Sequence, residues 1–516
     1  MAWTLRRTIF GFLVLLLLSI VSRSACESST QDFIDCQDTV KNWAAASSSS
    51  STTTVNVNDK LILKDLLFFL HIPRTGGRTY FQCFLRKMYA NSHECPRSYD
   101  KLRFDPRKPN CRLMVTHDDY SLMSKLPKER TSVVTILRNP IDRVFSTYEF
   151  SVEVAARFLV HPNLTSATQM SGRLRSKLRG VSTLEIWPWK YLVPWMREDL
   201  FTRRDVSRFV RSTRTKGDSN PYDMEDMVMP LHAYINDPVA HDIIHNGATF
   251  QVAGLTNNSY LGESHKIRHC LRMHPSLGQY VLEIAKDRLE HMLYVGLTED
   301  HEESAKMFAN MVGAQVLSQS EALSSHVEHK ASNTTEMSTT EDEADASNHD
   351  QNSSNSLAGG VPSPTEAKTT NQNMTVDTLM EAYGGCISNL RKSQAARRTM
   401  SLKKVAPVNF SKEARLSVPE SVLQEILTLN SLDVELYKHA QDIFLQQQQH
   451  FIQHERKILI QQRNTFLADV ALQGRRSNLD DCTPWKLYSL AVSSFLFIIV
   501  LFLIVTARRR TSKVKI

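Results

Sequence analysis

The chain has 516 residues, 41% hydrophobic and 22% charged, which is room for two to four domains and enough apolar material for a sizeable buried core. Collagen-like, wholly disordered and polytopic membrane architectures are excluded. Of the formal charge of +8, five positive residues lie in 508–516 and three in the first 24 residues, so the basic balance is no nucleic-acid signal.

In chain order, Arg6-Arg7, an apolar run from Ile9 to Ile20 and the small residues Ser22 and Ser24 predict a cleaved signal peptide over 1–24. Residues 25–59, rich in Ser, Thr and Asn, read as a tether. Hydrophobic patterning then runs over 60–316. Leu66 to Ile72 is a continuous apolar run, as expected of a buried parallel strand. Pro73-Arg74-Thr75-Gly76-Gly77-Arg78-Thr79 follows, and Phe81, Phe84, Leu85 and Met88 recur at helical spacing. A second strand is predicted at Arg112–Thr116, ending at His117. A third, Val133 to Leu137, ends in Arg138-Asn139-Pro140, with Asn139 as N-cap and Pro140 as first helical residue. Residues Tyr280–Leu293 look helical and Tyr294–Leu297 extended. Thr298 is expected to cap a helix with Glu299 and Asp300 in its first turn.

Residues 317–376 hold nine acids and two lysines among Ser, Thr and Asn, with few aromatics. Such a composition cannot offset chain entropy by apolar burial, so a disordered insertion is expected. Patterning resumes over 377–484, with a long helix at 431–465. Leu487–Ala507 is 21 residues without a charge, followed by Arg508-Arg509-Arg510. This predicts a transmembrane helix at 487–507 and a cytoplasmic tail at 508–516, in a single-pass type I layout. Six N-x-[S/T] sequons (Asn163, Asn257, Asn333, Asn352, Asn373, Asn409) suit a glycoprotein of a secretory compartment. Eight scattered cysteines without a C-x-x-C pair suit disulfides better than zinc, and Cys95–Cys111 is the pairing suggested by proximity.

Strands alternating with helices predict an α/β fold with a central parallel sheet and a ligand at the strand C-termini. The turn after the first strand has the makings of a phosphate cradle. Gly76 and Gly77 let the backbone approach, and Arg74, Thr75, Arg78 and Thr79 bring side-chain donors. It is not a Walker A loop, since G-x-x-x-x-G-K-[ST] is absent. Arg138 at a strand end and Ser146 two turns into the next helix can grip a second phosphate. An ordinary tight turn and a surface salt bridge would explain either feature alone. Both together suit a nucleotide with phosphates at two positions of its ribose.

Several stretches resemble known sulfotransferases. FFLHIPRTGGRTYFQ is similar to the 5′-phosphosulfate loop of enzymes that use 3′-phosphoadenylyl sulfate, and TILRNPIDRVFSTYEF to their 3′-phosphate element. The likeness to the heparan sulfate 6-O-sulfotransferase group extends through CRLMVTHDDYSL, ATFQVAGL, MLYVGLTEDHEESAKMF and LNSLDVELYKHAQDIF, over Leu61–Gly313 and Leu423–Phe444. With a signal first and an anchor last, the chain looks like the plant tyrosylprotein sulfotransferases, which sulfate tyrosines of secreted peptide hormones in the Golgi. The resemblance implies a P-loop-like sulfotransferase fold with its catalytic domain over 60–316. It also implies 3′-phosphoadenylyl sulfate as donor, adenosine 3′,5′-bisphosphate as product, no metal, and acidic tyrosine-containing secreted precursors as acceptors.

Residue by residue, the resemblance implies that Arg74 replaces the family's catalytic lysine, and that Thr75, Gly76, Gly77, Arg78 and Thr79 form the cradle. Arg138 and Ser146 fall on the 3′-phosphate pair and His117 on the general base; His71 beside the cradle is a supporting residue. Arg173, Arg175, Lys177 and Arg179, followed by Trp187, Trp189 and Trp195, fit an acidic-peptide groove, though a solvated loop with core tryptophans is the plainer reading. A glycan 6-O-sulfotransferase and a non-catalytic type I binding ectodomain remain the alternatives.

Overall fold

The computed structural model describes residues 31–48, 60–89, 93–95, 111–177, 182–209, 220–319, 374–405, 410–480 and 484–511. Among these residues, four strands form one sheet: β1 (Leu66–Leu70), β2 (Leu113–Thr116), β3 (Thr131–Leu137) and β4 (Tyr294–Leu297). All pair in parallel, in the order β2-β1-β3-β4. Leu70 is level with Thr116 on one side and Thr135 on the other. Every strand residue is buried, which is why these segments read as unbroken apolar runs rather than alternating ones. The chain leaves β1 for β2 on one side and returns past it to β3, so the topological switch point lies between β1 and β3.

The helix after β1 begins as α1 (Gly77–Tyr80) and continues through a π-helical stretch, Phe81–Leu85, to Met88. After β3 comes α2 (Pro140–Ala156), with Asn139 Oδ1 accepting from Ile141 N and Pro140 in the first turn, as its sequence predicts. α3 (Gly247–Val252) and α4 (Gly278–Glu290) precede β4. One apolar cluster surrounds the sheet and a second surrounds α2.

After residue 373 the chain returns to both. α5 (Val376–Leu402) is capped by Thr375, and Cys386 within it is disulfide-bonded to Cys83 in the π-helical stretch after α1. α6 (Ser431–Asp480) buries Asp433 against Arg143 of α2, with Nη2 at 2.7 Å. Asp433 also accepts from Thr249 N and Oγ1 of α3, each at 2.7 Å, so the buried charge is fully partnered. The chain divides into two compact units, Met1–Gln446 and Gln447–Ile516; the second is helical where it is described.

Several expectations change. Residues 31–48, inside the segment read as a tether, form a helix. Cys36, Val40 and Trp43 make a buried stripe on it, and Cys36 is bonded to Cys270. The guessed Cys95–Cys111 bridge is present. The helix after β4 starts at His301 with Asp300 as N-cap, because the Thr298 hydroxyl is engaged elsewhere. The transmembrane helix expected at 487–507 is not borne out. Pro484–Thr511 is helical, yet among the described residues no helix is long and apolar enough to cross a membrane. The signal peptide 1–24, residues 320–373 of the insertion and residues 512–516 lie outside the described residues.

Candidate active site

The cradle is built by the turn that follows β1. Thr75 Oγ1 donates to Ile72 O at 2.9 Å, so this hydroxyl shapes the turn. Gly76 has φ 83°, a left-handed conformation that favours glycine. A Cβ on Gly77 would stand 2.3 Å from His71 Cδ2, so only glycine admits the imidazole beside the helix start. Arg78 is exposed and Thr79 half-buried; Thr79 N donates to Gly76 O at 2.9 Å. From β4, the Thr298 hydroxyl is shared between Thr75 O (2.8 Å) and Leu137 O (2.9 Å). It fastens the turn after β1 to the end of β3.

Arg74 has φ 71°, a conformation costly for a side-chain-bearing residue and concentrated at functional sites. Its Nε donates to Ser146 Oγ at 2.9 Å, and its guanidinium lies 4.4 Å from the Phe150 ring centroid. Arg74 is thereby drawn to the β3 side of the cradle. Arg138 at the end of β3 donates from Nη1 to Arg74 O at 3.2 Å. Its Nε is buried without a hydrogen-bond partner among the described residues. Burial lowers the pKa of both arginines, and Arg138 crowds Arg74 further, down to about 10, so both remain cations at neutral pH. Two crowded cations and an orphaned N–H donor fit an anion such as a phosphate. The sequence-predicted Arg74, Arg138 and Ser146 thus come together at the β1/β3 switch point.

His117 follows β2, on the other flank of β1. Its Nδ1 lies 2.7 Å from His71 O; a carbonyl oxygen only accepts, so Nδ1 carries the proton and Nε2 is the basic nitrogen of the neutral ring. The His71 and His117 rings are 4.2 Å apart. Burial, outweighing the hydrogen bond to His71, lowers the His117 pKa to about 4, with Arg78 and Arg74 adding to the shift. The loop behind His117 is pinned by carboxylates. Asp119 accepts from Thr256 N at 2.8 Å and Thr256 Oγ1 at 2.7 Å, and Asp118 accepts from Asn258.

Sequence reading missed three contributors, Gln251, Arg398 and Arg415. Gln251 of α3 donates from Nε2 to His117 O at 2.9 Å, with longer contacts to His71 O (3.3 Å) and Asp118 O (3.4 Å). A lone amide in the apolar stretch Ala248 to Leu255 was the available signal. Arg398 of α5 and Arg415 pair with Glu149 of α2 at 2.9 and 2.7 Å, one turn beyond Ser146. Nothing local marked them. The tryptophans do not form a groove: Trp187 and Trp189 are buried and Trp195 stacks on Tyr234 at 5.6 Å. Arg173, Arg175 and Lys177 belong to the helix Leu164–Lys177, and Arg179 lies outside the described residues.

No protein-family model matches the chain. A curated Arabidopsis thaliana protein, protein-tyrosine sulfotransferase, is 55% identical to it over 504 residues, 97% of this chain and 98% of that protein. By this likeness the chain belongs to the protein-tyrosine sulfotransferase family.

Proposed function

We propose that the chain transfers the sulfuryl group of 3′-phosphoadenylyl sulfate to tyrosine hydroxyls of peptides and proteins, with His117 as general base. The observation that carries this reading is the order of groups along the strand ends. The basic imidazole follows β2, the glycine turn follows β1, and Arg138 with Ser146 follows β3. Neighbouring strands lie about 4.8 Å apart, so the three stations span roughly 10 Å. A donor laid across β3 and β1 has its 3′-phosphate at Arg138 and Ser146 and its phosphosulfate at Gly76, Gly77, Arg78 and Thr79. The sulfur then faces the β2 side, where the acceptor meets His117.

In the reaction, Nε2 of His117 takes the phenolic proton as the tyrosine oxygen attacks sulfur. The bond from sulfur to the bridging oxygen breaks, and adenosine 3′,5′-bisphosphate leaves with that electron pair. A phenol, with pKa about 10, is deprotonated more readily than a sugar hydroxyl. Arg74 and Arg78 offset charge on the leaving phosphate by fixed electrostatics. The three disulfides among the described residues support an oxidising secretory lumen, for which the Golgi is our assignment, and secreted peptide-hormone precursors with acids near the tyrosine are the acceptors we infer.

The test offers the purified full chain radiolabelled 3′-phosphoadenylyl sulfate with three acceptors: an acidic peptide bearing one tyrosine, its phenylalanine counterpart, and heparan sulfate. Label on the tyrosine peptide alone is expected. Label on the glycan alone would overturn the reading.

A further inference from the structure

We propose that Gln251 is a positioning residue that holds His117 in its proton-accepting orientation, an inference that rests on His117 being the base. Gln251 is 1% exposed and lies on α3, an element separate from both strand ends it joins. Its Nε2 donates to the carbonyl of His117 itself and contacts that of His71. The His71 carbonyl is also the acceptor for His117 Nδ1–H. One amide therefore fixes the backbone of the base and the oxygen that selects its tautomer. The amide cannot serve turned around, because Oε1 would then face three carbonyl oxygens. In the orientation observed, Oε1 is buried without a partner among the described residues. A fold that leaves one end of a buried amide unsatisfied has that side chain committed to its other end. Asp433 reinforces the placement, since it accepts from the Thr249 N–H two residues before Gln251.

Gln251→Met keeps the length of the side chain and removes both donor hydrogens. On the full chain with a tyrosine peptide, kcat should fall about 10–100-fold, the scale seen when a residue that orients a reactive histidine is lost, with the KM for donor unchanged. Nitrogen-15 NMR of labelled histidines, with His117 assigned by its loss in His117→Ala, should show Nδ1–H for His117 in the parent chain and a mixture of tautomers in Gln251→Met. In a His117→Ala background, Gln251→Met should cost nothing further. Unchanged kcat and an unchanged His117 tautomer in Gln251→Met would overturn the positioning role and leave the base in place. Full transfer by His117→Ala would overturn the base and this inference together. If Gln251→Met no longer binds adenosine 3′,5′-bisphosphate, Gln251→Glu decides by the same readouts, since it keeps the size and removes at least one donor hydrogen.

Discussion

The affinity of the His117 imidazole for protons is cut by its surroundings. Burial is the largest cause, Arg78 and Arg74 add to it, and the hydrogen bond to His71 only partly offsets them, leaving a pKa of about 4. The sign follows directly: the ring is neutral, and able to accept, at every pH above about 4. The acid limb of kcat/KM for the donor, which reports the free enzyme, should therefore lie near 4 rather than near the ordinary 6.5. Once the donor brings negative charge beside Arg74 and Arg78, the limb in kcat should move upward. His117→Ala should lower kcat about 10²–10⁴-fold and abolish the limb. A pH–rate series with and without saturating donor checks all three. At this scale His117, Arg138 and Ser146 were legible, because each sits at a fixed offset from a strand. Arg74 was legible as a position but not as a direction: its left-handed backbone and its bond to Ser146 depend on a helix 72 residues away. Gln251 was not legible, since its partners are backbone carbonyls of loops distant in sequence.

At the scale of elements, the four strands were readable from their unbroken apolar runs, and Asn139-Pro140 marked the start of α2. Thr298 misled because a threonine before two acids is a capping pattern, while its hydroxyl here closes the cradle turn instead. The helix at 31–48 was hidden by the serine-rich residues beside it, although Cys36, Val40 and Trp43 already had helical spacing. α5 matters most for the site. Its N-terminal half is held to the cradle helix through Cys83–Cys386, and Arg398 in its C-terminal half is held to α2 through Glu149. Replacing Cys83 and Cys386 with serine together should destabilise the chain by about 2–4 kcal/mol. Denaturant melts monitored by tryptophan fluorescence measure this, and an unchanged midpoint would refute it.

At the scale of the molecule, the parallel α/β architecture and the gathering of the candidate site residues at the strand ends followed from alternation of strands and helices. The strand order did not, because nothing in the sequence says on which side of β1 the chain places β2. At the C-terminal segment a charge-free run predicts a span, whereas among the described residues no helix is long and apolar enough to cross a membrane. The insertion yields a prediction here. Residues 320–373 are acidic and rich in Ser, Thr and Asn, a composition with little apolar surface to bury. Replacing 320–373 with a flexible linker of about 15 residues should leave kcat and donor affinity unchanged. Loss of adenosine 3′,5′-bisphosphate binding in isothermal calorimetry would show that the segment supports the fold.

The bond between Cys83 and Cys386 also sets a schedule. The two cysteines are 303 residues apart, whereas Cys95 and Cys111 are separated by 16. At roughly 5–20 residues per second, a ribosome needs about 15–60 s to deliver Cys386 after Cys83. Throughout that interval the nascent chain carries an unpaired Cys83 thiol a dozen residues upstream of Cys95. Correct pairing there depends on burial of Cys83 in the growing core, or on a disulfide isomerase, until the chain has been made as far as Cys386, about three-quarters of its length.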